Sequence, residues 1–245
     1  MIFLLISFVN LWLYKIASFN IVIAVLVLAI SFLVLNSYRR NKVYVLLIVL
    51  FIILSIVQIR TTNVKSLINL SEDQKVSQTR RVRQYPPVYI NFLGKTIWIP
   101  VAHWFEERKE YRVLDRLGKN FSEILDPNLY FFASHPRETD QIESFEKFAY
   151  ILLPIFIIGF VKFLKSKNVV LLVLTLVVPI LISTIIGTRN PIGPITLFPL
   201  FTLSIYLGLG FVYQKINQKN KTKVVIGFGI LYLLVFIQTV IYAIN

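Results

Sequence analysis

The chain has 245 residues, of which 56% are hydrophobic and only 16% are charged, and its formal net charge is +14. A soluble domain of this length cannot bury so many apolar side chains, which argues against a soluble protein. The absence of cysteine excludes disulfides and thiolate zinc sites. Residues 60–146 hold 13 Lys and Arg against 12 Asp and Glu, and most other basic residues lie in short loops. That pattern is typical of membrane topology signals, so we expect a lipid bilayer and no nucleic acid as partner.

Six apolar runs approach the length needed to cross a hydrocarbon core of about 30 Å, which takes about 20 helical residues. They are 17–36, 43–59, 148–164, 169–186, 194–213 and 224–243. The runs are continuously apolar rather than alternating, which favours helices over barrel strands. We therefore predict an all-α, multi-pass helical membrane protein with about six transmembrane helices. It divides into an N-terminal membrane region (1–59), a helical insert (60–147) and a C-terminal four-helix membrane region (148–245).

The first 14 residues are apolar but short for a span, and they lack a basic n-region and a small-residue cleavage site. Trp12 and Tyr14 favour a position at the membrane interface, because such aromatic side chains prefer the headgroup level. A short seventh helix is the alternative. A cleaved signal peptide is not expected.

Three short loops carry an excess of lysine and arginine, namely 37–42, 162–168 and 214–223. Such loops face the cytoplasm, whereas the alternate loop 187–193 carries Arg189 alone. All three basic loops fall on the same side of a six-span path. The sequence therefore predicts a cell-membrane protein with these loops in the cytoplasm and the 60–147 insert on the extracytoplasmic side.

The insert contains all twelve acidic residues, between Glu72 and Glu146. Apolar residues recur near helical spacing from Val101 to Leu125, and Asp126-Pro127 should end that helix. Two interpretations, which are not exclusive, are a small helical core and a helical cap that lies on the bilayer. The second rests on aromatic residues that suit the headgroup level: Tyr89, Phe92, Trp98 and Trp104.

His103, Glu106 and Glu107 would share one face of a helix, and an imidazole with carboxylates at this spacing can bind a metal. Only one histidine is present, and Arg108 and Lys109 follow at once. We therefore prefer a solvated charged face, and we predict no metal and no cofactor.

The second histidine lies in Ser134-His135-Pro136-Arg137-Glu138. The preferred interpretation is a helix start, with Ser134 as N-cap or Pro136 in the first turn. The functional interpretation is an anion or lipid-headgroup site, in which His135 and Arg137 act with Arg189 from the same membrane face. No motif assigns a catalytic residue, and the residues that remain as candidates are His103, His135, Arg137 and Arg189.

The apolar runs hold no ionisable residue in their interiors, which disfavours proton-coupled transport and intramembrane proteolysis. Ser204 and Gly208 lie four residues apart and predict a small-residue helix contact, and Gly208 and Gly210 predict another with Gly227 and Gly229 in the next run. The favoured function is a non-enzymatic component of a membrane or envelope complex, which requires a membrane protein partner. The alternative is a membrane enzyme that transfers a glycosyl or phosphoryl group on a lipid-linked substrate at the extracytoplasmic face. Sequence leaves open whether the protein is an enzyme, what it binds and its oligomeric state.

Overall fold

A computed structural model describes residues 2–40, 44–64, 67–69, 72–132, 145–188 and 190–244. The protein is 78% helical, as expected of an all-α membrane protein. Within the described ranges, five helices are long and apolar enough to cross a membrane. They are Ile21–Arg39, Tyr44–Thr61, Val169–Ile186, Ile195–Lys215 and Gln218–Ile241.

The predicted run 148–164 forms a shorter apolar helix, Tyr150–Leu164, which does not reach the spanning length. The residues just before it are held in another conformation. The backbone amides of Lys147 and Phe148 both donate to the carbonyl oxygen of Tyr130, at 3.0 and 2.9 Å. Since these amides are tied to the insert, the helix begins only at Tyr150.

The N-terminus forms two short helices, α1 (Ile2–Phe8) and α2 (Leu11–Phe19), before α3 (Ile21–Arg40) and α4 (Tyr44–Thr61). Asn10 separates the first two, because its side-chain oxygen caps α2 at the Leu13 amide, 2.8 Å away. The interfacial position expected for residues 1–14 stays a prediction. The side chain of Trp12 is fully buried inside the protein, whereas that of Tyr14 is exposed.

The insert contains α5 (Glu72–Gln84), β1 (Val88–Phe92), β2 (Lys95–Ile99), α6 (Lys109–Leu125) and α7 (Asn128–Phe131). The prediction of an entirely helical insert is thus corrected by a β-hairpin. Pro86 and Pro87 separate α5 from the strands, and the strands are rich in aromatic and β-branched residues. The strands pair antiparallel, from Val88 opposite Ile99 to Phe92 opposite Lys95.

The helix predicted from Val101 to Leu125 is interrupted. A π-helical turn, His103–Glu107, precedes α6, and the backbone of Arg108 between them is extended. The predicted end is confirmed, because α6 stops at Leu125 and Asp126 is extended before Pro127.

The C-terminal region contains α8 (Leu153–Leu164), α9 (Val169–Leu172), α10 (Val178–Ile186), α11 (Phe198–Lys215) and α12 (Lys221–Ile244). A π-helical turn, Val173–Val177, joins α9 to α10 into one apolar helix that is long enough to cross a membrane. Pro179 has no amide hydrogen to donate to the preceding turn, which accounts for the local change in hydrogen bonding.

The centre of the helix assembly is α11, most of which is buried. It packs closely against α8 where Gly159 meets Ser204 and Gly208, and a side-chain carbon on Gly159 would overlap the Ser204 carbonyl oxygen. The predicted small-residue contact at Ser204 and Gly208 is therefore confirmed, and Gly159 is its partner. The contact predicted with Gly227 and Gly229 is wrong, because a side-chain carbon at Gly210, Gly227 or Gly229 would meet nothing within 4 Å. Helices α8 and α11 run in the same direction, because Phe156 contacts Phe201 and Lys162 lies over the Phe211 ring farther along both.

The two ends of the assembly differ. At one end Tyr38 contacts Phe163, and the Asn168 side chain donates to the Tyr44 hydroxyl at 2.8 Å. The 60–147 insert attaches at the other end, which we call the insert end.

Candidate functional site

A buried polar network joins three elements at the insert end. Gln58, near the end of α4, donates to the Ser183 hydroxyl of α10 at 2.9 Å. Its carbonyl oxygen accepts from both the amide and the hydroxyl of Thr196, at 2.9 and 2.6 Å. Buried amides are costly unless they are bonded, and here both ends of the Gln58 amide are used. This side chain therefore fixes the start of the α11 span against α4 and α10.

Asn190 extends the same network through the 187–193 loop. Its side-chain nitrogen donates to the hydroxyls of Thr61 and Thr62, at 2.8 and 3.1 Å. Its side-chain oxygen accepts from the Ile192 amide at 3.0 Å. Residues 190–192 are consequently packed at the insert end, against the end of α4.

The C-terminal half of α6 docks on the same end. The Asn120 side chain donates to the Thr184 carbonyl oxygen at 2.9 Å, and the Thr188 hydroxyl donates to the Glu123 carboxylate at 2.7 Å. Of the apolar positions predicted in this half, Ile124 is buried in the helix assembly, whereas Phe121 and Leu125 are about half exposed, so the docking face of α6 is partly polar.

Lys147 is buried, with 4% of its surface exposed, where the insert returns to the helices. Its ammonium donates to the Leu129 carbonyl oxygen at 2.6 Å and lies 4.8 Å from the centre of the Phe145 ring. The rings of Trp12 and Tyr130 face it at 5.9 and 6.0 Å. Burial disfavours the charged form and lowers the pKa of Lys147 to about 7.

Trp12 links this lysine to the 187–193 loop. Its ring nitrogen donates to the Ile192 carbonyl oxygen at 2.6 Å, and its backbone amide donates to the Lys147 carbonyl oxygen at 3.3 Å. Its ring also packs edge-on against Phe148 and Phe198. Trp12 therefore anchors the start of α2 at the insert end, whereas α1 extends along α11, where Phe3 contacts Tyr206.

Glu146 makes the corresponding link to α12. Its carboxylate accepts from the Thr239 hydroxyl at 2.8 Å. Partial burial raises the pKa of Glu146, and the bond from Thr239 opposes that rise. Near the middle of α12, the Tyr232 hydroxyl donates to the Val9 carbonyl oxygen.

An apolar groove of about 130 Å³ runs from the insert end down between α8, α10 and α11. Its upper wall comes from the end of α6 and from α7. Its lower walls come from apolar side chains of the three helices below. The lining residues are Ile124, Leu125, Pro127, Tyr130, Phe131, Phe156, Phe160, Leu176, Ile180, Leu197, Leu200 and Phe201. The groove therefore connects the edge of the insert to the depth of the spanning helices without a charged residue in its walls.

His103 lies away from this groove on the exposed π-helical turn. Its Nδ1 is 2.7 Å from a Glu107 carboxylate oxygen. The Glu106 carboxylate instead pairs with Arg81, at 3.1 Å. Within the part of the chain that the structure describes, no three His, Asp or Glu side chains gather in a way that suits a metal ion.

The other three candidates, His135, Arg137 and Arg189, lie outside the described residues. The proposed helix start at Ser134 also lies there. Their predicted convergence stays a prediction.

Among the site residues described above, Gln58, Lys147 and Thr196 were not singled out from the sequence. Gln58 is a polar residue near the end of the apolar run 43–59, and the sequence alone shows such a residue. The burial of Lys147 has no such signal, because the residues around it come from distant parts of the chain.

Comparison with known proteins adds no assignment: no protein-family model, no curated protein and no solved structure matches this chain.

Proposed function

We propose that this chain is an integral protein of the cell membrane that crosses the bilayer six times, with the 60–147 insert on the extracytoplasmic side. The third crossing is the short helix Tyr150–Leu164, about 22 Å long at 1.5 Å per residue. It runs parallel to α11, as a six-span path requires. A bilayer that thins locally, or lysines such as Lys162 that reach the interface, accommodates its length.

The orientation is supported by the distribution of charge. In support, Tyr38 near the end of α3 contacts Phe163 of α8, and Asn168 donates to the hydroxyl of Tyr44 at the start of α4, so these helix ends meet away from the insert. Lys162 and Lys215 both lie over the Phe211 ring, so the 214–223 loop begins at this end as well. Basic short loops gathered at one end favour a cytoplasmic location for that end.

We propose that the protein binds a lipid or lipid-linked ligand at the extracytoplasmic face and holds its hydrocarbon chain in the apolar groove. The observation that carries this proposal is the continuity of the groove. Pro127 and Tyr130 bound it at the insert, and Phe160 and Leu176 bound it farther down the helices. A ligand with a polar head and an apolar tail would bring its head against the insert while its tail entered the groove.

The size of the groove sets what it can hold. An apolar protein cavity of about 150 Å³ accepts one benzene molecule, so a volume of about 130 Å³ suits roughly five or six carbon atoms. The groove thus grips one segment of a hydrocarbon chain, and the remainder extends into the bilayer. Ring-lined walls from Phe156, Phe160 and Phe201 provide the contact area.

Two adjacent residues of α10 provide a matched test. Ile180 lines the groove, whereas Leu181 is 56% exposed on the outer surface of the same helix. We expect Ile180→Trp to fill the groove and to lower the lipid retained after purification in mild detergent several-fold, measured by mass spectrometry of bound lipids. Leu181→Trp should retain the wild-type amount. Equal retention by both variants would show that the groove does not hold the chain.

A second candidate function is a component of a larger membrane complex, and α12 favours it. This spanning helix buries few side chains against the rest of the protein, among them Val235 and Thr239. An apolar stripe remains on its outer side, formed by Ile226, Ile230, Leu233, Ile237 and Ile241. We propose this stripe as the surface for a membrane partner. Affinity purification in native nanodiscs should then recover a stoichiometric membrane protein, and Ile230→Trp together with Leu233→Trp should release it. Recovery of the chain alone argues against a complex.

If the groove holds a lipid-linked ligand, a further hypothesis is that the protein transfers a glycosyl or phosphoryl group to or from that ligand. Its candidate residues are His135, Arg137 and Arg189. Simultaneous alanine substitution of these three residues should abolish any transfer activity while lipid retention persists.

A further inference from the structure

The β-hairpin of the insert exposes apolar side chains on nearly its whole surface. β1 and β2 pack mainly against each other, and the large side chains of Phe92, Leu93 and Trp98 are all exposed. An isolated two-stranded hairpin is marginally stable in water, and an exposed apolar patch of this kind marks an interaction surface. The hairpin therefore requires a partner that accepts apolar side chains.

The tip of the hairpin points to the nature of that partner. The turn consists of Leu93 and Gly94, with φ of +51° and +76°. Two-residue turns with positive φ favour Asn or Asp followed by Gly, and a branched apolar residue such as leucine adopts this conformation at an energetic cost. Yet Leu93 is 89% exposed. The sequence thus places a strained apolar side chain at the outermost point of the hairpin, beside Phe92.

The surroundings of the tip match a membrane surface. Tyr89 and Trp98 face each other across the strands, and Trp104 is exposed just beyond them. Tyrosine and tryptophan concentrate at the headgroup level of bilayers. Basic residues flank these aromatics in the sequence: Arg80, Arg81 and Arg83 before the hairpin, Lys95 at its tip, and Arg108 and Lys109 after it.

Acidic residues do not cancel this charge. Between 80 and 109 only Glu106 and Glu107 are acidic. Glu106 pairs with Arg81, and Glu107 lies against His103. The remaining positive charge is complementary to anionic headgroups.

We propose that the hairpin docks on the bilayer that carries the chain, with Phe92 and Leu93 at the boundary of the acyl chains and the basic residues against anionic headgroups. The insert is anchored at both ends, by α4 at Thr61 and by the helix that begins at Tyr150. The bilayer is therefore always within reach at high effective concentration, which a freely diffusing protein partner is not. This docking adds a membrane contact outside the groove and rests only on the membrane-spanning arrangement.

The absence of cysteine from the chain allows single labelling sites. We would place an environment-sensitive fluorophore on Leu93→Cys in the full chain and reconstitute it in vesicles of phosphatidylcholine with phosphatidylglycerol. Val76→Cys is the control, because Val76 is an exposed apolar residue of α5 outside the hairpin. We expect lipid-attached nitroxides to quench the Leu93 probe several-fold more than the Val76 probe, and aqueous iodide to do the reverse. Equal iodide quenching at both sites would overturn the proposal.

A second pair of variants separates docking from loss of the hairpin. Leu93→Asn suits the positive φ of the turn, so it retains the fold of the hairpin while it removes the apolar tip. With a probe on Phe92→Cys, we expect Leu93→Asn to abolish most of the lipid quenching, and vesicles without phosphatidylglycerol to weaken it. Unchanged quenching in both cases would refute the assigned roles of the tip and the charges. Lipid retention in the Ile180→Trp assay is independent of either result.

Discussion

Substitution of Gly159 by alanine tests the closest contact between two helices of this protein. A side-chain carbon at Gly159 would lie 2.6 Å from the Gly208 amide nitrogen and would overlap the Ser204 carbonyl oxygen. A contact at 2.6 Å is about 1 Å inside the optimal separation of such atoms, so α8 and α11 must move apart. Overpacking of this kind costs about 1–3 kcal/mol.

The intrinsic preference of alanine over glycine in a helix offsets about 0.5–1 kcal/mol of that cost. We therefore expect a net loss of roughly 1–2 kcal/mol for Gly159→Ala. At about 2–4 °C per kcal/mol for a chain of this size, the unfolding midpoint falls by roughly 2–8 °C. Thermal unfolding in detergent, followed by the intrinsic fluorescence of the tryptophans, measures this shift.

Gly210 is the matched control, because it lies in the same α11 and a side-chain carbon there would meet nothing within 4 Å. Gly210→Ala should leave the midpoint unchanged or raise it by a few degrees, since only the helix preference acts. If Gly159→Ala and Gly210→Ala shifted the midpoint equally, the close approach of α8 to α11 would be refuted.

Substitutions at three positions test the insert end. A lysine side chain in the unfolded chain has a pKa of about 10.5, whereas burial lowers the pKa of folded Lys147 to about 7. The unfolded state therefore binds more protons between these values, and the free energy of unfolding of the wild type should rise by up to about 4 kcal/mol from pH 7 to pH 10. Lys147→Met should lose that rise, and a parallel pH dependence of the two midpoints would contradict the burial of a neutralised amine. Gln58→Leu leaves the buried Thr196 amide and hydroxyl without their acceptor and should cost about 1–3 kcal/mol in the same unfolding assay. Trp12→Phe retains ring packing but loses the hydrogen bond to Ile192, and it should lower the free energy of unfolding by about 1 kcal/mol. Trp12→Ala also loses the packing and should cost about 3–5 kcal/mol. Equal losses for the two variants would show that the packing of this ring contributes little.

The spanning helices were readable from the sequence because run length dominates in a bilayer. The runs at 43–59 and 169–186 correspond closely to Tyr44–Thr61 and Val169–Ile186. The run at 148–164 gives a shorter helix, because hydrogen bonds from Lys147 and Phe148 to Tyr130 delay its start. Hydropathy cannot reveal a tertiary hydrogen bond of this kind.

The hairpin was missed because apolar residues follow one another in both strands, at 88–90 and 97–99, so no clear alternation of apolar and polar residues marks them. Leu93-Gly94 also lacks the Asn or Asp that marks most tight turns. The end of α6, by contrast, was predicted because Asp126-Pro127 is a local signal. Steric effects such as that of a proline on the preceding residue act within a few residues, so they can be predicted without tertiary information.

The hydrogen-bond network at the insert end could not be predicted from the sequence, for a different reason. Gln58 lies 125 residues from Ser183 and 138 from Thr196 along the chain. Trp12 lies 180 residues from Ile192. The chemistry of these side chains is visible in the sequence, but their convergence is a product of the folded helices. Ser204 and Gly208 were found as a packing face because they lie on one helix, whereas their partner Gly159 lies on another.

Cysteine labelling of intact cells tests the proposed arrangement in the membrane most directly. Ser77 in α5 of the insert and Gln218 in the 214–223 loop are both exposed and uncharged. With a membrane-impermeant maleimide, Ser77→Cys should react in intact cells, and Gln218→Cys should react only after permeabilisation. Labelling of both in intact cells, or of Gln218→Cys alone, would contradict an extracytoplasmic insert opposite cytoplasmic basic loops.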